Sequence, residues 1–239
     1  MIFGIHPVEE ALDAAQSLDK IFISRKISKQ QLSKILSSAN QQQVPVQFVP
    51  EEKLQQYTRS NHQGVVAFLS PVEFYKIEDI IAQAYEKGET PLLVICDRIT
   101  DVRNIGAIAR TAFGAGAQAM IVPQSDSAAL RADAVKTSAG ALMKLPVCRV
   151  KDLVKQVKEL KLHGLQIVVA DSKGENMIYE IDLKVPLAII VGNEEFGTDA
   201  KLLRLADHIV RIPISKRLDS YNVSVAAGMV LYEVIRQRS

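Results

Sequence analysis

The chain has 239 residues, 48% hydrophobic and 23% charged, so it is long and apolar enough for one large globular domain or two small ones. The net charge of +2 permits a polyanionic partner without requiring one, and no apolar run approaches the ~18 residues of a membrane span. The early acidic residues argue against an export signal, and the two cysteines lack CxxC spacing, so we expect a cytoplasmic protein with reduced core thiols.

Residues 1–72 predict a small α/β domain. Short runs rich in apolar residues indicate strands at 20–24, 44–49 and 64–68, and helical spacing indicates a helix at 30–39. Pro71 disfavours continued strand pairing, so we expect 73–89 to be a linker that contains a helix. That helix runs from 77 to 87, with Gly88 as its C-cap.

From residue 90 onward, apolar strands alternate with helices, which predicts a second domain at 90–239. The strand candidates are continuous apolar runs, typical of a parallel sheet buried on both faces: 92–96, 119–122, 166–170, 187–191 and 209–212. Helices are predicted at 104–114, 132–140, 151–162, 199–206 and 223–238. The fold class is therefore α/β, with a parallel-sheet domain preceded by a smaller one.

Polar residues follow three of these strands, at the ends where open parallel sheets bind ligands. The segments read DRITDVRNIGAIARTAFGAG (97–116), GNEEFG (192–197) and SYNVS (220–224). The glycines at 106, 114 and 116 fit neither the GxGxxG turn of a dinucleotide site nor the GxxxxGK[ST] turn of a P-loop. The four histidines are scattered, so we expect no metal site.

Each polar segment also has a purely structural explanation. Arg110 fits a solvated helix residue or the partner of a nearby acid, and Asn104 fits a helix N-cap. The glycines of 192–197 fit a strand-ending loop with positive φ, and Ser220 and Asn222 fit caps of the last helix. Taken one at a time, the segments do not decide the function.

Taken together and in this order, the segments resemble the signature motifs of the SpoU (TrmH-like) family of RNA 2′-O-ribose methyltransferases. The similarity covers 97–112, 190–197 and 212–226, and the segment TSAGA (137–141) resembles the family's sequence between the first two motifs. Val102 stands where the first motif commonly has proline, and Tyr221 where the third commonly has leucine.

The N-terminal part is similar to the family's substrate-binding module, an L30e-type domain. The similarity lies at FGIHPVEEAL (3–12) and HQGVVA (62–67), and it is strongest to the bacterial 23S rRNA guanosine-2′-O-methyltransferase branch. The module would read RNA, and its candidate phosphate contacts are Arg25, Lys26, Lys29 and Arg59.

The resemblance implies a deep trefoil knot in the C-terminal domain, S-adenosyl-L-methionine as methyl donor, and a homodimer with the last helix in its interface. It places the catalytic arginine at Arg110, with the other polar site residues at Asn104, Glu194, Ser220 and Asn222. The implied cofactor-binding residues are Ala170, Gly192, Asn193, Ile212 and Tyr221. Val225 and Met229 of the last helix fit either a dimer interface or the core.

Three alternatives stay open at this point. The chain could methylate tRNA, it could methylate an rRNA adenosine, or it could be an RNA-binding relic without catalysis. The role of Arg110 is open as well, since it would act either as an unusual base or by binding a phosphate and stabilising a developing alkoxide. The sequence alone does not name the target nucleotide.

Overall fold

The structure, a computed structural model, describes residues 1–28, 30–215 and 217–239. These residues form two compact units, Met1–Val72 and Glu73–Ser239. The segment 73–89, predicted as a linker, lies within the second unit, where Ile77, Ile80 and Ile81 pack into its core.

The first unit is a four-stranded sheet in the order β1-β4-β2-β3, in which β2 and β3 are parallel and the other pairs are antiparallel. The larger of its two described core clusters contains Val8 and Leu12 from the first helix and Ile21 and Ile23 from the second strand. The smaller cluster consists of Phe22, Val49, Leu54 and Val66. The elements are β1 (Ile2–Phe3), α1 (Ile5–Asp13), β2 (Leu18–Ser24), α2 (Ser33–Gln41), β3 (Val46–Val49), α3 (Glu51–Gln55) and β4 (Val65–Leu69).

The second unit is a seven-stranded sheet in the order β7-β6-β5-β10-β8-β11-β9, and every recorded strand pair in it is parallel. Its strands are β5 (Leu92–Cys96), β6 (Ala119–Pro123), β7 (Val147–Val150), β8 (Gln166–Ala170), β9 (Asn176–Met177), β10 (Leu187–Val191) and β11 (His208–Arg211). Its helices are α4 (Ile77–Glu86), α5 (Val102–Gly114), α6 (Ala132–Thr137), α7 (Leu153–Leu162), α8 (Ala200–Leu203) and α9 (Val223–Arg238).

The continuous apolar runs form the centre of this sheet. Every residue of β5 and β10 is buried, and the two strands pair in parallel from Leu92 opposite Leu187 to Cys96 opposite Val191. Since neither strand alternates polar and apolar residues, both faces must be covered, which α-helices between parallel strands accomplish. The predicted parallel α/β domain is confirmed.

Some predicted boundaries were wrong. Helix α5 begins at Val102 and its N-cap is Asp101, whose side chain accepts a hydrogen bond from the Arg103 amide at 2.7 Å. Asn104, predicted as a possible N-cap, therefore lies inside the helix on its buried side. The strand β7 was missed because Arg149 interrupts its apolar pattern, yet the guanidinium lies 3.8 Å from the centre of the Phe74 ring.

Both cysteines are buried in strands of this sheet. Burial raises the pKa of the Cys96 and Cys148 thiols to about 12. Neither thiol is therefore ionised or reactive at neutral pH.

Candidate active site

A cavity of about 460 Å³ opens beyond the carboxyl ends of β8, β10 and β11. In the sheet, β10 lies between β5 and β8, so the order of the strands differs there from their order in the chain. Parallel α/β sheets bind ligands at the carboxyl ends of strands at such a point. All five residues predicted to bind the cofactor line it: Ala170, Gly192, Asn193, Ile212 and Tyr221.

The loop after β10 forms one wall of the cavity and folds back closely on itself. A Cβ atom on Gly192 would lie 2.5 Å from the amide nitrogen and from Oγ1 of Thr198, so no larger residue fits there. The Asn193 side chain fixes the turn, because its Oδ1 accepts from the amides of Glu195 (2.8 Å) and Phe196 (3.1 Å).

The two residues that directly follow β5, Asp97 and Arg98, form hydrogen bonds with this loop. The buried Asp97 carboxylate accepts the Asp199 amide at 2.8 Å, and the Arg98 guanidinium donates to the Gly197 carbonyl at 3.1 Å. Asn193 Nδ2 in turn donates to the Arg98 carbonyl at 2.9 Å. The loop is thus anchored to the central strands of the sheet and is pre-formed for a ligand.

The described part of the cavity lining is acidic. It carries four carboxylates against one lysine: Asp171, Glu194, Glu195 and Asp219 against Lys173. A cavity of this charge suits a cationic ligand and disfavours a polyphosphate, since like charges in a partly enclosed site repel.

Three of the predicted polar site residues meet in one hydrogen-bonded cluster. Glu194 Oε1 accepts from Asn104 Nδ2 at 3.0 Å, from Asn222 Nδ2, and from the Val223 amide at 3.3 Å. Asn222 Nδ2 also donates to Asn104 Oδ1 at 3.2 Å. The cluster joins α5, the loop after β10 and the start of α9 at the edge of the cavity.

Three residues of the segment before α9 have different roles: Ser220, Tyr221 and Asn222. Asn222 is the N-cap of the helix, and its Oδ1 accepts from the amides of Ser224 (3.0 Å) and Val225 (3.4 Å), as one of the structural explanations predicted. Ser220 is exposed and lines the cavity, and among the described residues the cap of the helix is Asn222 and not Ser220. The Tyr221 hydroxyl donates to the Pro213 carbonyl at 3.0 Å and closes the loop that leads to the helix.

Arg110 lies apart from this cluster. It is exposed on α5, six residues after Asn104 and about 120° around the helix, and the cavity lining does not include it. Within 1–28, 30–215 and 217–239, no hydrogen bond or ion pair holds its guanidinium. A cation without a partner among the described residues is available to a substrate anion.

Sequence reasoning missed the residues that support the loop, namely Asp97, Arg98 and Thr198. Thr198 is 5% exposed, lines the cavity, and its Oγ1 has no hydrogen-bond partner in the part of the chain that the structure describes. The polar pair directly after an apolar strand was a usable signal for Asp97 and Arg98. Among the described residues, no cluster of His, Cys, Asp or Glu is arranged to hold a metal, and no helix could cross a bilayer.

The chain matches two family models. Residues 91–232 match the SpoU rRNA Methylase family, and residues 1–75 match the RNA 2′-O ribose methyltransferase substrate binding family. A candidate TrmH family tRNA/rRNA methyltransferase of Staphylococcus haemolyticus is 36% identical over 100% of this chain and 96% of its own length.

Solved structures agree with these matches. The SpoU methyltransferase AviRb of Streptomyces viridochromogenes in complex with AdoMet has a TM-score of 0.62 and 26% identity, over 99% of this chain and 89% of that chain. An AdoMet-bound rRNA methyltransferase of Sinorhizobium meliloti has a TM-score of 0.63 and 27% identity, over 98% and 86%. An A. aeolicus TrmH/SpoU tRNA modifying enzyme has a TM-score of 0.57 and 29% identity, over 67% and 83%.

Proposed function

Because the chain belongs to the SpoU family and is an S-adenosylmethionine-dependent RNA methyltransferase, we propose that it methylates a ribose 2′-hydroxyl, on a guanosine of 23S rRNA. One observation carries the proposal. Asn104, Glu194 and Asn222, each predicted from a different motif, form a single cluster at the edge of an acidic cavity. The cluster supports the proposal because it joins residues of three separate motifs at the edge of the cavity in which the cofactor would bind.

The cavity suits S-adenosylmethionine in charge and shape. The cofactor carries a sulfonium and an ammonium against one carboxylate, so a lining with four carboxylates attracts it. The missing Cβ at Gly192 allows the folded-back loop to present backbone groups, and the unpaired Thr198 Oγ1 supplies an unused polar atom. When bound, the cofactor supplies an electrophilic methyl group and leaves as a neutral thioether.

The residues of this chain would position the nucleophile. A ribose hydroxyl is a weak nucleophile, so the negative charge that develops on the 2′-oxygen needs a stabilising group. We assign this role to Arg110, which binds the phosphate beside the target ribose and keeps its own proton, because guanidinium is not deprotonated in proteins. As the oxygen–methyl bond forms and the sulfonium–methyl bond breaks, the hydroxyl proton passes to solvent water at the open cavity mouth. Glu194, occupied by three donors, orients Asn104 and the start of α9, and Ser220 contacts the substrate at the cavity mouth.

Replacing Arg110 tests this assignment. Arg110→Ala should lower methyl transfer about 100-fold or more, the loss typical of removing one preorganised transition-state donor. Affinity for S-adenosylmethionine, measured by calorimetry, should not change because Arg110 lies outside the cavity lining. Normal turnover of the variant would exclude both a base and a charge-stabilising role.

The N-terminal unit would read the RNA. It contains a polar cleft of about 620 Å³, lined by hydroxyl and amide side chains together with Lys26 and Arg59. Lys26 forms an ion pair with Glu51 at 2.6 Å, whereas Arg25 and Arg59 are exposed and make no ion pair with the residues that the structure describes. These two arginines are therefore the stronger candidates for phosphate contacts; Lys29 lies outside the described residues.

The coverage of the relatives favours rRNA as the substrate. The rRNA methyltransferase of S. meliloti aligns with 98% of this chain, and the tRNA modifying enzyme aligns with 67%. The rRNA enzyme therefore shares nearly the whole chain with this protein, including the N-terminal unit that would bind RNA, which makes rRNA the more consistent substrate. The same resemblance supports an L30e-type fold for that unit, a trefoil knot in the second unit, and a cytoplasmic enzyme.

A homodimer is the further part of the proposal. Helix α9 buries one face, with Ala227, Val230 and Leu231 in the core, and exposes an apolar stripe at helical spacing on the other. The exposed fractions are 47% at Val225, 36% at Met229, 66% at Tyr232 and 40% at Ile235. Core packing within the chain therefore does not explain Val225 and Met229, and a second copy would cover them.

Mapping 2′-O-methyl groups in cells tests the substrate. A strain without this gene should lack one methyl group on a 23S rRNA guanosine, and the intact gene should restore it. Loss of a methyl group from tRNA or from an rRNA adenosine would redirect the assignment. Unchanged rRNA and tRNA would contradict the proposed activity.

A further inference from the structure

Phe196 is displayed to solvent at the rim of the cavity. Its exposed fraction is 72%, although it lines the same cavity as the residues proposed to hold the cofactor. A single exposed apolar side chain is ordinary, so exposure alone assigns Phe196 no role. Its position at the rim of the candidate cofactor cavity is the observation that points to a ligand contact.

The loop holds the backbone that carries this ring in place. The Gly197 amide donates to the Asn193 carbonyl at 2.9 Å, and the Asn193 side chain accepts the Phe196 amide at 3.1 Å. The Arg98 guanidinium fixes the Gly197 carbonyl from the other side, at 3.1 Å. The backbone on both sides of Phe196 is therefore tied down, and the ring projects from a rigid turn.

Phe196 is also close in sequence to the polar cluster, two residues after Glu194. In a nucleotide, the base is attached to the carbon next to C2′. A ribose whose 2′-oxygen reaches the cavity therefore places its base at the cavity rim, within reach of a ring mounted there. Every nucleobase has a π-face, and stacking on aromatic side chains is how proteins hold unstacked bases.

We propose that Phe196 stacks on the nucleobase of the target nucleotide and so positions its ribose for methyl transfer. The inference rests on the proposed ribose methylation and adds a positioning residue to it. Stacking needs a flat aromatic ring, so an aliphatic side chain of similar size cannot replace it. Phe196→Tyr and Phe196→Trp should retain activity, and Phe196→Leu should fail as Phe196→Ala does.

Kinetics on full-length protein with the mapped RNA substrate test the role. Phe196→Ala and Phe196→Leu should lower kcat/KM about 5- to 150-fold, the range for loss of one base–aromatic stack. Because Phe196 lies at the rim of the cofactor cavity and is 72% exposed, affinity for S-adenosylmethionine should fall much less than kcat/KM, and the oligomeric state should stay as in the wild type. Leu162→Ala is the matched control, because Leu162 is 88% exposed at the end of α7 and outside the cavity lining, and it should change nothing.

A substrate with an abasic target nucleotide isolates the contact. The wild type should lose activity on this RNA, and Phe196→Ala should lose nothing further, since the two changes remove the same interaction. Additive losses would overturn the proposal, as would a loss of cofactor affinity as large as the loss in kcat/KM, or a changed oligomeric state, in Phe196→Ala. If the wild type methylates no RNA, the proposed function itself fails; if it is active and Phe196→Ala matches it, the stacking inference alone fails.

Discussion

Replacing Gly192 by alanine adds one methyl group at the tightest point of the cavity wall. The new Cβ would lie 2.5 Å from the amide nitrogen and Oγ1 of Thr198 and 2.6 Å from the carbonyl carbon of Gly197. Gly192 does not have a positive φ, so alanine suits its backbone conformation and the whole effect is steric.

The size of the effect follows from how far the loop must move. Ordinary contacts of a Cβ atom begin at 3.4 Å, so the loop has to shift by about 0.9 Å. Two hydrogen bonds resist that shift because they fix both neighbours of Thr198: the Asp199 amide donates to Asp97, and Arg98 donates to the Gly197 carbonyl. Overpacking of this kind costs about 1–3 kcal/mol.

Two measurements show whether the cost lowers cofactor affinity or stability. Calorimetric titration with S-adenosylmethionine gives the affinity, and urea unfolding gives the free energy of unfolding. If the loop yields, cofactor affinity should fall about 5- to 150-fold with little change in stability. If the loop holds, the free energy of unfolding should fall by about 1–3 kcal/mol. Gly114→Ala is the control, because Gly114 ends α5 with no atom within 4 Å of its Cβ position, and it should raise stability by at most about 1 kcal/mol. Wild-type affinity and stability in Gly192→Ala would refute the steric reasoning.

Three other predictions concern the cluster of Asn104, Glu194 and Asn222, the two buried cysteines, and Glu233. Asn222→Asp keeps a helix cap but removes the amide that donates to Glu194 and adds a second carboxylate beside it. Its kcat/KM should therefore drop about 5- to 150-fold while circular dichroism shows α9 intact, and full activity would mean that Asn222 is only a cap. A thiol reagent at pH 8 should label neither buried cysteine in the native protein and both after unfolding, and labelling of the native protein would contradict their burial. The hydrogen bond from Arg236 lowers the pKa of Glu233 to about 2, whereas the pKa of a glutamate in the unfolded chain is about 4.3. The ionised Glu233 therefore stabilises the fold above pH ~4.3, and this contribution should be lost as the pH falls toward 2. Glu233→Gln should flatten that decline in urea unfolding, and an unchanged pH profile would show that Glu233 does not contribute.

The central strands were predictable because their causes are local, whereas the shared site of the motifs was predicted from their combined resemblance to the SpoU family. Continuous apolar runs at 92–96 and 187–191 require burial on both faces, and the structure places them side by side. The ordered motifs also predicted that Asn104, Glu194 and Asn222 belong to one site. Their hydrogen bonds were not predictable, since these join residues that are far apart in the chain and depend on strand order.

The separation of Arg110 from Asn104 follows from their spacing in the sequence. Asn104 and Arg110 are six residues apart on one helix, so helical geometry already places them on different sides. The strand order itself could not be derived, because β11 lies between β8 and β9 although it follows both in the chain. Support of the loop by Asp97 and Arg98 depends on the same long-range arrangement.

The central claim is that this chain transfers a methyl group to a ribose oxygen of RNA. Incubating the protein with labelled S-adenosylmethionine and 23S rRNA, then digesting the RNA to nucleosides for mass spectrometry, tests it directly. We expect the label in 2′-O-methylguanosine, incorporated about 100-fold or more slowly with Arg110→Ala. Label on a nucleobase, or no label in any RNA despite cofactor binding, would contradict the account.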